Sequence, residues 1–214
     1  MLPTEPEGYV SIIASNYLFP ITSLIESLDN ISHTEPNEVQ ASPLNNGYSM
    51  ALVLLTALMI ESAISRTQYM MGLSTPEKPL TFIKGHFPDE LENKVEEIFV
   101  LRDVIAHNHV WEAEFYWDDK GKMKLVKAEL TNGYGDKKYK KVVDSKNRKT
   151  KILGLNIFPN RICRADAIKV LKTAYSFLQA IENIDRNYFS VSGQIVKYKG
   201  SVMPFTEFMN RIED

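Results

Sequence analysis

Residues 101–109, Leu-Arg-Asp-Val-Ile-Ala-His-Asn-His, combine side chains that can move a proton with one that can hold a phosphate. A histidine can transfer a proton near neutral pH because its unperturbed pKa is about 6.5, and the stretch contains His107 and His109. Arg102 stays cationic and can bind a phosphate through two parallel N–H donors. A polar residue, Asp103, follows it. These residue types suffice for phosphodiester chemistry without a metal ion.

The spacing limits how Arg102 and His107 can meet. Successive residues of an α-helix turn by about 100°, so five steps place the two side chains about 140° apart. We therefore expect the helix to end or distort at His107, with Asn108 at a C-cap position, which asparagine tolerates. If the helix continued instead, His109 would lie on the same face as Arg102.

The order of these residues resembles the hallmark motif of the HEPN superfamily, an arginine and a polar residue followed, after three to five further residues, by a histidine. Arg102, Asp103 and His107 match this pattern at the end of a predicted internal helix, in the context LRDVIAHNHVWE. Members of the family often carry a tyrosine two positions after the histidine. Here that position is His109, which leaves open whether His109 assists in the site.

The resemblance implies cleavage of RNA by its own 2′-hydroxyl, which needs a base, an acid and positive charge beside the phosphorane. One Arg102 and one His107 cannot easily fill all of these roles, and members of the family dimerise so that two motifs face each other. One His107 would then act as base and the other as acid, while the two Arg102 side chains clamp the phosphate. The expected products are a 2′,3′-cyclic phosphate and a 5′-hydroxyl, with no metal or other cofactor.

Other interpretations of these residues stay open. A HEPN-like dimer could bind a nucleotide, RNA or a partner protein without catalysis. Arg102 could simply pair with a neighbouring acid, and His107 with His109 could bind a metal, since imidazoles suit zinc and nickel. Glu61, in the preceding long helix, either faces the dimer interface and orients Arg102 or is a partly exposed glutamate where that helix becomes polar.

Basic residues are concentrated in one part of the chain. Between Lys120 and Lys151, twelve Lys and Arg residues stand against three Asp and Glu residues, although the whole chain has a net charge of −2. This asymmetry favours a polyanionic partner. The alternative is an ordinary solvated hairpin. The candidates for contact with an RNA backbone are Lys137, Lys138, Lys140, Lys141, Arg148 and Lys149.

Helical periodicity predicts the elements that must position the motif. The predicted helices are 9–31, kinked or split at Pro20; 48–71, closed by Gly72; 90–106, with Asp89 as N-cap; and 160–187. A loop is expected at 32–47 and a connector with short helical pieces at 73–88. The resemblance to HEPN proteins covers about 9–109 and 160–187, so the predicted fold is mainly α, a HEPN-like up-down helical bundle.

Alternation and β-branched residues predict an antiparallel β insertion of three or four strands near 110–158, with Trp111, Phe115 and Trp117 in its core. The C-terminal extension, 188–214, should hold a short strand at 193–198 and a terminal helix from Pro204.

Length and composition predict the number of domains and the cellular compartment. At 214 residues, the chain should form a single domain. The single cysteine, Cys163, rules out an internal disulfide and suits a reducing cytosol. We see no signal peptide, and the apolar run Met50–Ile60 is about half of a transmembrane span. We expect a cytoplasmic homodimer acting on RNA away from membranes, with an antitoxin or regulatory protein as a further partner by family analogy.

Overall fold

The computed structural model describes residues 14–31, 38–39, 42–107, 110–131 and 137–213. Within these ranges the protein is mainly helical, with 58% helix in seven helices, and carries small antiparallel two-strand hairpins. The helices are α1 (Leu18–Leu28), α2 (Pro43–Met70), α3 (Pro79–His86), α4 (Asp89–Ala106), α5 (Lys137–Val142), α6 (Arg164–Ile184) and α7 (Phe205–Arg211). The strands are β1 (Trp111–Trp117), β2 (Met123–Leu130), β3 (Val143–Asp144), β4 (Lys149–Thr150), β5 (Ile195–Tyr198) and β6 (Ser201–Pro204), paired as β1–β2, β3–β4 and β5–β6.

The long helix α2 packs on α1, α4 and α6. The helix begins at Pro43, five residues before the predicted start. Ser42 caps it by accepting a hydrogen bond from the backbone N–H of Asn45 at 3.2 Å, and Pro43 occupies the first helical position. The predicted end is confirmed. Gly72 adopts a φ of +73°, and the N–H of Leu73 bonds the carbonyl of Gln68 at 3.1 Å, as in a glycine-terminated helix.

In the described ranges, α2 is also the one helix that is long and apolar enough to cross a membrane, judged by length and composition only. Half of its most apolar 18-residue window is buried inside the fold, and the core helix of a soluble protein meets the same criterion. Four apolar residues recur at helical spacing on the side that is not fully buried. We call this set the outer face of α2: Ala51, Leu54, Leu55 and Leu58.

Two predictions about helix beginnings were wrong in detail. Pro20 does not interrupt α1, because it lies in the first turn, where backbone N–H groups have no partner within the helix. A short 3-10 turn, Ala14–Tyr17, precedes α1. Residues 9–13 of the helix predicted at 9–31 lie outside the described residues. Asp89 is the first residue of α4 rather than its N-cap, which is Pro88. Its carboxylate still lies at the end of the helix where negative charge is favourable.

The segment 110–158 is not one sheet. Strand β1 pairs with β2 from Trp111 opposite Leu130 to Trp117 opposite Met123, whereas β3 and β4 form a separate small hairpin. The intervening basic stretch, expected as a strand, is helix α5. Phe115 and Trp117 are 47% and 63% exposed, so their predicted place in a sheet core was wrong. No second sheet covers this hairpin in the described part of the chain.

A second hydrophobic cluster fixes the insertion to the helix that carries the motif. Its buried members come from α4, α5, β3 and the segment after β4. Trp111 and Leu130, at the base of the β1–β2 hairpin, pack against the cluster. The members are Val100, Val104, Tyr139, Val142, Val143 and Ile157. The insertion therefore packs directly along α4.

The C-terminal segment forms the strand and helix that were predicted, but it is not a peripheral extension. Val196, Phe205 and Phe208 are fully buried in the main core. Strand β5 packs on α1, and Asp29 at the C-cap of α1 links the two. Its carboxylate accepts hydrogen bonds from Arg164 Nη2 at 3.0 Å and from the Tyr198 hydroxyl, and it lies 2.9 Å from Lys199 Nζ.

Burial opposes ionisation of Asp29 and is the largest single influence on its pKa. The hydrogen bonds from Tyr198, Lys199 and Arg164 together outweigh it and lower the pKa below its ordinary value. A carboxyl group whose pKa is lower in the folded state stabilises the fold above its unfolded pKa of about 4. That contribution is lost as pH falls through the folded pKa.

The substitution Asp29→Asn should therefore lower the free energy of unfolding by about 2 kcal/mol at neutral pH, because charge-assisted hydrogen bonds are lost. In thermal melts this corresponds to a fall in Tm of about 4–8 °C. The difference from wild type should shrink as pH falls below about 4, the ordinary pKa of the carboxyl group, and through its lower folded-state pKa. Asp119→Asn, in the exposed β1–β2 turn, is the matched control and should leave Tm unchanged. A Tm difference that stays the same from neutral pH into the acid range would contradict the role of the ionised carboxylate.

Candidate functional site

Arg102 is held between two helices. Its Nη1 lies 3.2 Å from Glu61 Oε1 and donates a hydrogen bond to Glu61 Oε2 at 3.3 Å, linking α4 to α2. Its guanidinium carbon lies 5.5 Å from the centre of the Phe99 ring, within range of a cation–π contact. The Arg102 and Glu61 side chains are 24% and 28% exposed. Glu61, whose place the sequence left open, is thus in direct contact with the motif arginine.

Asp103 adds a second carboxylate to the same arginine. Its Oδ1 lies 2.7 Å from Arg102 Nε, which makes an ion pair. The Nε atom is nevertheless buried without a hydrogen-bond acceptor among the described residues, so the N–H is not aligned with this oxygen. A buried donor without an acceptor costs about 1–3 kcal/mol and calls for an explanation. Part of the hydrogen-bonding capacity of Arg102 is therefore unused.

His107 is the C-cap of α4. The helix ends at Ala106, and the backbone of His107 leaves helical geometry with φ −94° and ψ 3° while its N–H bonds the carbonyl of Asp103 at 3.0 Å. Its side chain is exposed. The helix thus ends at His107, as the spacing argument requires, but the C-cap is His107 itself and not Asn108. Asn108 and His109 lie outside the described residues.

A cleft of about 160 Å³ opens beside Arg102. It lies between α2, the beginning of α3, α4 and α5, and its charged lining includes Lys78, Lys138 and Glu96 as well as Arg102. His107 does not line it. Five residues of helix separate Arg102 from His107 by about 7.5 Å along the axis. One chain therefore offers a cleft that contains the motif arginine and, about 1.4 helical turns away, an exposed imidazole.

Helix α5 brings basic residues to this cleft from far along the sequence. Because Tyr139 and Val142 pack against α4, the neighbouring Lys138 reaches the edge of the Arg102 cleft. Lys137 and Lys140 are exposed on the same helix. Sequence reasoning singled out these lysines but placed them on a strand. The spacing of Tyr139 and Val142, three residues apart, was the helical signal that it missed.

The remaining basic candidates have different surroundings. Lys141 Nζ lies 2.5 Å from Glu96 Oε2, and this hydrogen bond raises the pKa of Lys141. Glu96 is buried, so this pair anchors α5 on α4. Lys149 is exposed, while Arg148 is half-buried with a φ of +55°. Of the six predicted RNA contacts, Lys141 is therefore the one committed to an internal pair.

The other histidines and the cysteine show no sign of a second site. The His86 ring stacks on Phe82, and its Nδ1 lies 2.9 Å from the Phe82 carbonyl oxygen, as expected of a structural residue. His33 lies outside the described residues. Burial is the main influence that raises the pKa of Cys163, which disfavours a reactive thiolate. No cluster of three candidate metal ligands occurs in the ranges that the structure covers.

Comparisons with protein-family models, with curated proteins and with solved structures gave no match. The function of this chain is therefore inferred from its own residues. The features available for that inference are the Glu61–Arg102 pair, the position of His107 at a helix end and the basic helix α5 beside them.

Glu97, next to Glu96 on α4, provides a structural contrast to Glu61. It is fully buried, and its two carboxylate oxygens accept the backbone N–H groups of Ile152 and Leu153 at 2.8 Å each. This carboxylate holds the turn after β4 against α4. Glu61, by contrast, lies at a partly solvated helix edge, where an ion pair contributes little to stability.

Removing these two carboxylates should have different consequences. Glu97→Ala leaves two backbone donors without partners and should lower the free energy of unfolding by about 3 kcal/mol. Glu61→Ala should cost less than about 1 kcal/mol. Urea denaturation of the two variants measures the difference. Equal losses would contradict the assignment of Glu97 to the scaffold and of Glu61 to positioning Arg102.

Proposed function

We propose that the protein is a metal-independent endoribonuclease of the HEPN type, acting as a homodimer with a composite site. The observation that carries the proposal is the pairing of a motif arginine, held across two helices by Glu61, with a histidine at the exposed end of the same helix. Both groups have the chemistry that RNA cleavage by the 2′-hydroxyl requires. A toxin or abortive-infection setting in the cytoplasm follows by family analogy only.

The need for two copies follows from the geometry of one. His107 does not line the Arg102 cleft, and each chain provides one imidazole where the reaction uses a base and an acid. In the proposed dimer, His107 of one protomer accepts the 2′-hydroxyl proton. His107 of its partner protonates the leaving 5′-oxygen, and the two Arg102 guanidinium groups bind the phosphate oxygens.

The outer face of α2 supports self-association. Leu58 is 40% exposed and precedes Glu61 by three residues, so the apolar stripe ends beside the carboxylate that orients Arg102. A two-fold axis near this stripe would bury it against its own copy. The same axis would bring the two Arg102 clefts toward each other. The apolar surface that α2 exposes is thus next to the groups that the mechanism must pair.

Cleavage is the direct test. Wild-type protein incubated with mixed RNA in EDTA should produce fragments with 2′,3′-cyclic phosphate and 5′-hydroxyl ends, visible on gels and by mass spectrometry. Arg102→Ala and His107→Ala should each reduce the rate by at least about a hundredfold, as expected for groups that act in the transition state. Lys169→Ala, exposed on α6, is the matched surface control. Activity that requires a divalent ion, or that survives both motif substitutions, would contradict the proposal.

The dimer has its own test. Leu58→Glu places a charge in the middle of the proposed interface and should convert the dimer to a monomer in sedimentation or light-scattering measurements, with loss of cleavage. Val202→Glu is the control, because Val202 is 71% exposed on the C-terminal hairpin. It should leave both mass and activity unchanged. A wild-type protein that is monomeric, or a monomeric Leu58→Glu variant that still cleaves RNA, would exclude the composite site.

One observation favours a second candidate, a non-catalytic HEPN-like dimer that binds RNA, a nucleotide or a partner protein. Arg102 already contacts two carboxylates, Glu61 and Asp103, which offset its positive charge before any phosphate arrives. In this alternative the wild-type protein binds RNA but leaves it intact in the assay above. Binding that weakens in Arg102→Ala without any cleavage by wild type would favour it.

A further inference from the structure

A second pocket shares helix α5 with the Arg102 cleft. Its volume is about 310 Å³, which is at the lower end of the range for small-molecule sites. The base of the β1–β2 hairpin forms one wall, and α5 and the β3–β4 turn form the others. Its lining includes Trp111, Glu129, Leu130, Tyr139, Arg148 and Ile157.

Aromatic and aliphatic side chains form one part of the wall of this pocket, beside the polar Glu129, Ser145 and Arg148. The Trp111 indole packs against Phe158 with ring centres 5.4 Å apart, which fixes its orientation. Its nitrogen is buried without an acceptor among the described residues, so Trp111 offers the pocket apolar surface rather than a hydrogen bond. Burial raises the pKa of Tyr139 to about 12, so this ring is uncharged at neutral pH. Leu130 and Ile157 complete the apolar lining.

One cation stands at this pocket on a constrained backbone. Arg148 has a φ of +55°, a left-handed conformation that is uncommon for a residue other than glycine. Its carbonyl accepts the N–H of Ile157 at 3.1 Å, and Asp144 fixes the preceding turn by accepting the N–H groups of Lys146 and Asn147. Within the described residues, no carboxylate pairs with the Arg148 guanidinium. The backbone is thus held in a costly conformation that places an available cation beside aromatic walls.

The acidic residue of the pocket has a cationic partner. Glu129 Oε2 lies 2.9 Å from Lys127 Nζ, and this contact raises the pKa of Lys127. Glu112, opposite Glu129 in the hairpin, and Glu114 act on the same lysine, so the cation that favours a phosphate is Arg148, in the β3–β4 turn that forms another wall. An aromatic wall with one cation matches the chemistry of an unstacked nucleotide, whose base packs on aromatic side chains while its phosphate meets a guanidinium.

We infer that this pocket binds an unpaired nucleotide of a single-stranded RNA, on a strand that crosses α5 from the Arg102 cleft. Lys138 lines the cleft and its neighbour Tyr139 lines the pocket, so α5 contributes a wall to both sites. Bases within an A-form duplex are stacked and cannot enter such a pocket. The inference rests on the proposed function for its substrate class and adds single-strandedness to it.

Binding to an uncleavable strand tests the pocket separately from catalysis. The protein has two tryptophans, so in a Trp117→Phe background Trp111 is the sole indole reporter. A single-stranded 2′-O-methyl oligonucleotide lacks the nucleophile and should quench Trp111 fluorescence on titration. Arg148→Asn should raise the Kd about five- to tenfold, because a cation at the phosphate is lost. It should keep the fold, since asparagine tolerates positive φ.

Three controls distinguish binding at the pocket from attraction to surface charge, from duplex binding and from binding of a free nucleotide. Lys169→Gln removes one positive charge from the exposed surface of α6 and should change the Kd by less than about twofold. A duplex of the same sequence should cause little quenching, and a free mononucleotide should bind at least about tenfold more weakly than the strand. Equal Kd values for Arg148→Asn and Lys169→Gln would overturn the inference. So would equal quenching by duplex and single strand, or a mononucleotide that binds as tightly as the oligonucleotide.

The two proposals can fail independently. If strand binding depends on Arg148 but the protein never cleaves RNA, the nucleotide pocket is supported and the nuclease proposal is excluded. If the protein cleaves RNA in EDTA but Arg148→Asn has no effect on strand binding, the nuclease proposal is supported and the nucleotide pocket is excluded.

Discussion

The packing of α4 against α2 is the contact on which the candidate site depends. Ile98 and Leu101 of α4 are fully buried in the same core as Ile60 and Ile64 of α2. This apolar contact supplies the stability, since complete burial of one such side chain contributes about 1.5–3 kcal/mol. The ion pair at the rim contributes far less to stability. Its role is geometric, because it determines where a guanidinium on a long flexible side chain lies.

The second hydrophobic cluster gives α4 another buried side. Val100 and Val104 pack on α5 and the β3–β4 region, while Leu101 faces the main core. Helix α4 is therefore fixed from two directions, and Arg102 emerges between them. The insertion is consequently part of the structure that shapes the cleft. Lys138 belongs to the cleft only because Tyr139 and Val142 bury the adjacent face of α5.

The sequence allowed prediction of those features that arise from local periodicity. The extent of α4 and the helix end at His107 follow from 3.6-residue spacing and from the rotation between Arg102 and His107. The same spacing predicted α6, although that helix spans Arg164–Ile184 and not 160–187. Helix α5 was missed because its Tyr and Val residues also favour a strand, and a single pair at helical spacing, Tyr139 and Val142, is a weak local signal until both residues pack on α4. The exposure of Phe115 and Trp117 could not be predicted either, since alternation predicts a strand but not whether a second layer covers it.

Charge along the sequence and charge at a surface are different quantities in this protein. Of the twelve basic residues between Lys120 and Lys151, several are paired with carboxylates: Lys122 with Glu38, Lys124 with Asp118, Lys127 with Glu129 and Lys141 with Glu96. These ion pairs help to hold the hairpins and α5 in place. The paired lysines are then less able to bind a polyanion. Of these twelve, Lys138 and Arg148 remain beside the two cavities, where Lys78 and the carboxylate-held Arg102 also lie. A strand recognised here would therefore be selected by where these cations stand relative to the aromatic side chains, because four of the twelve charges are compensated by the protein itself.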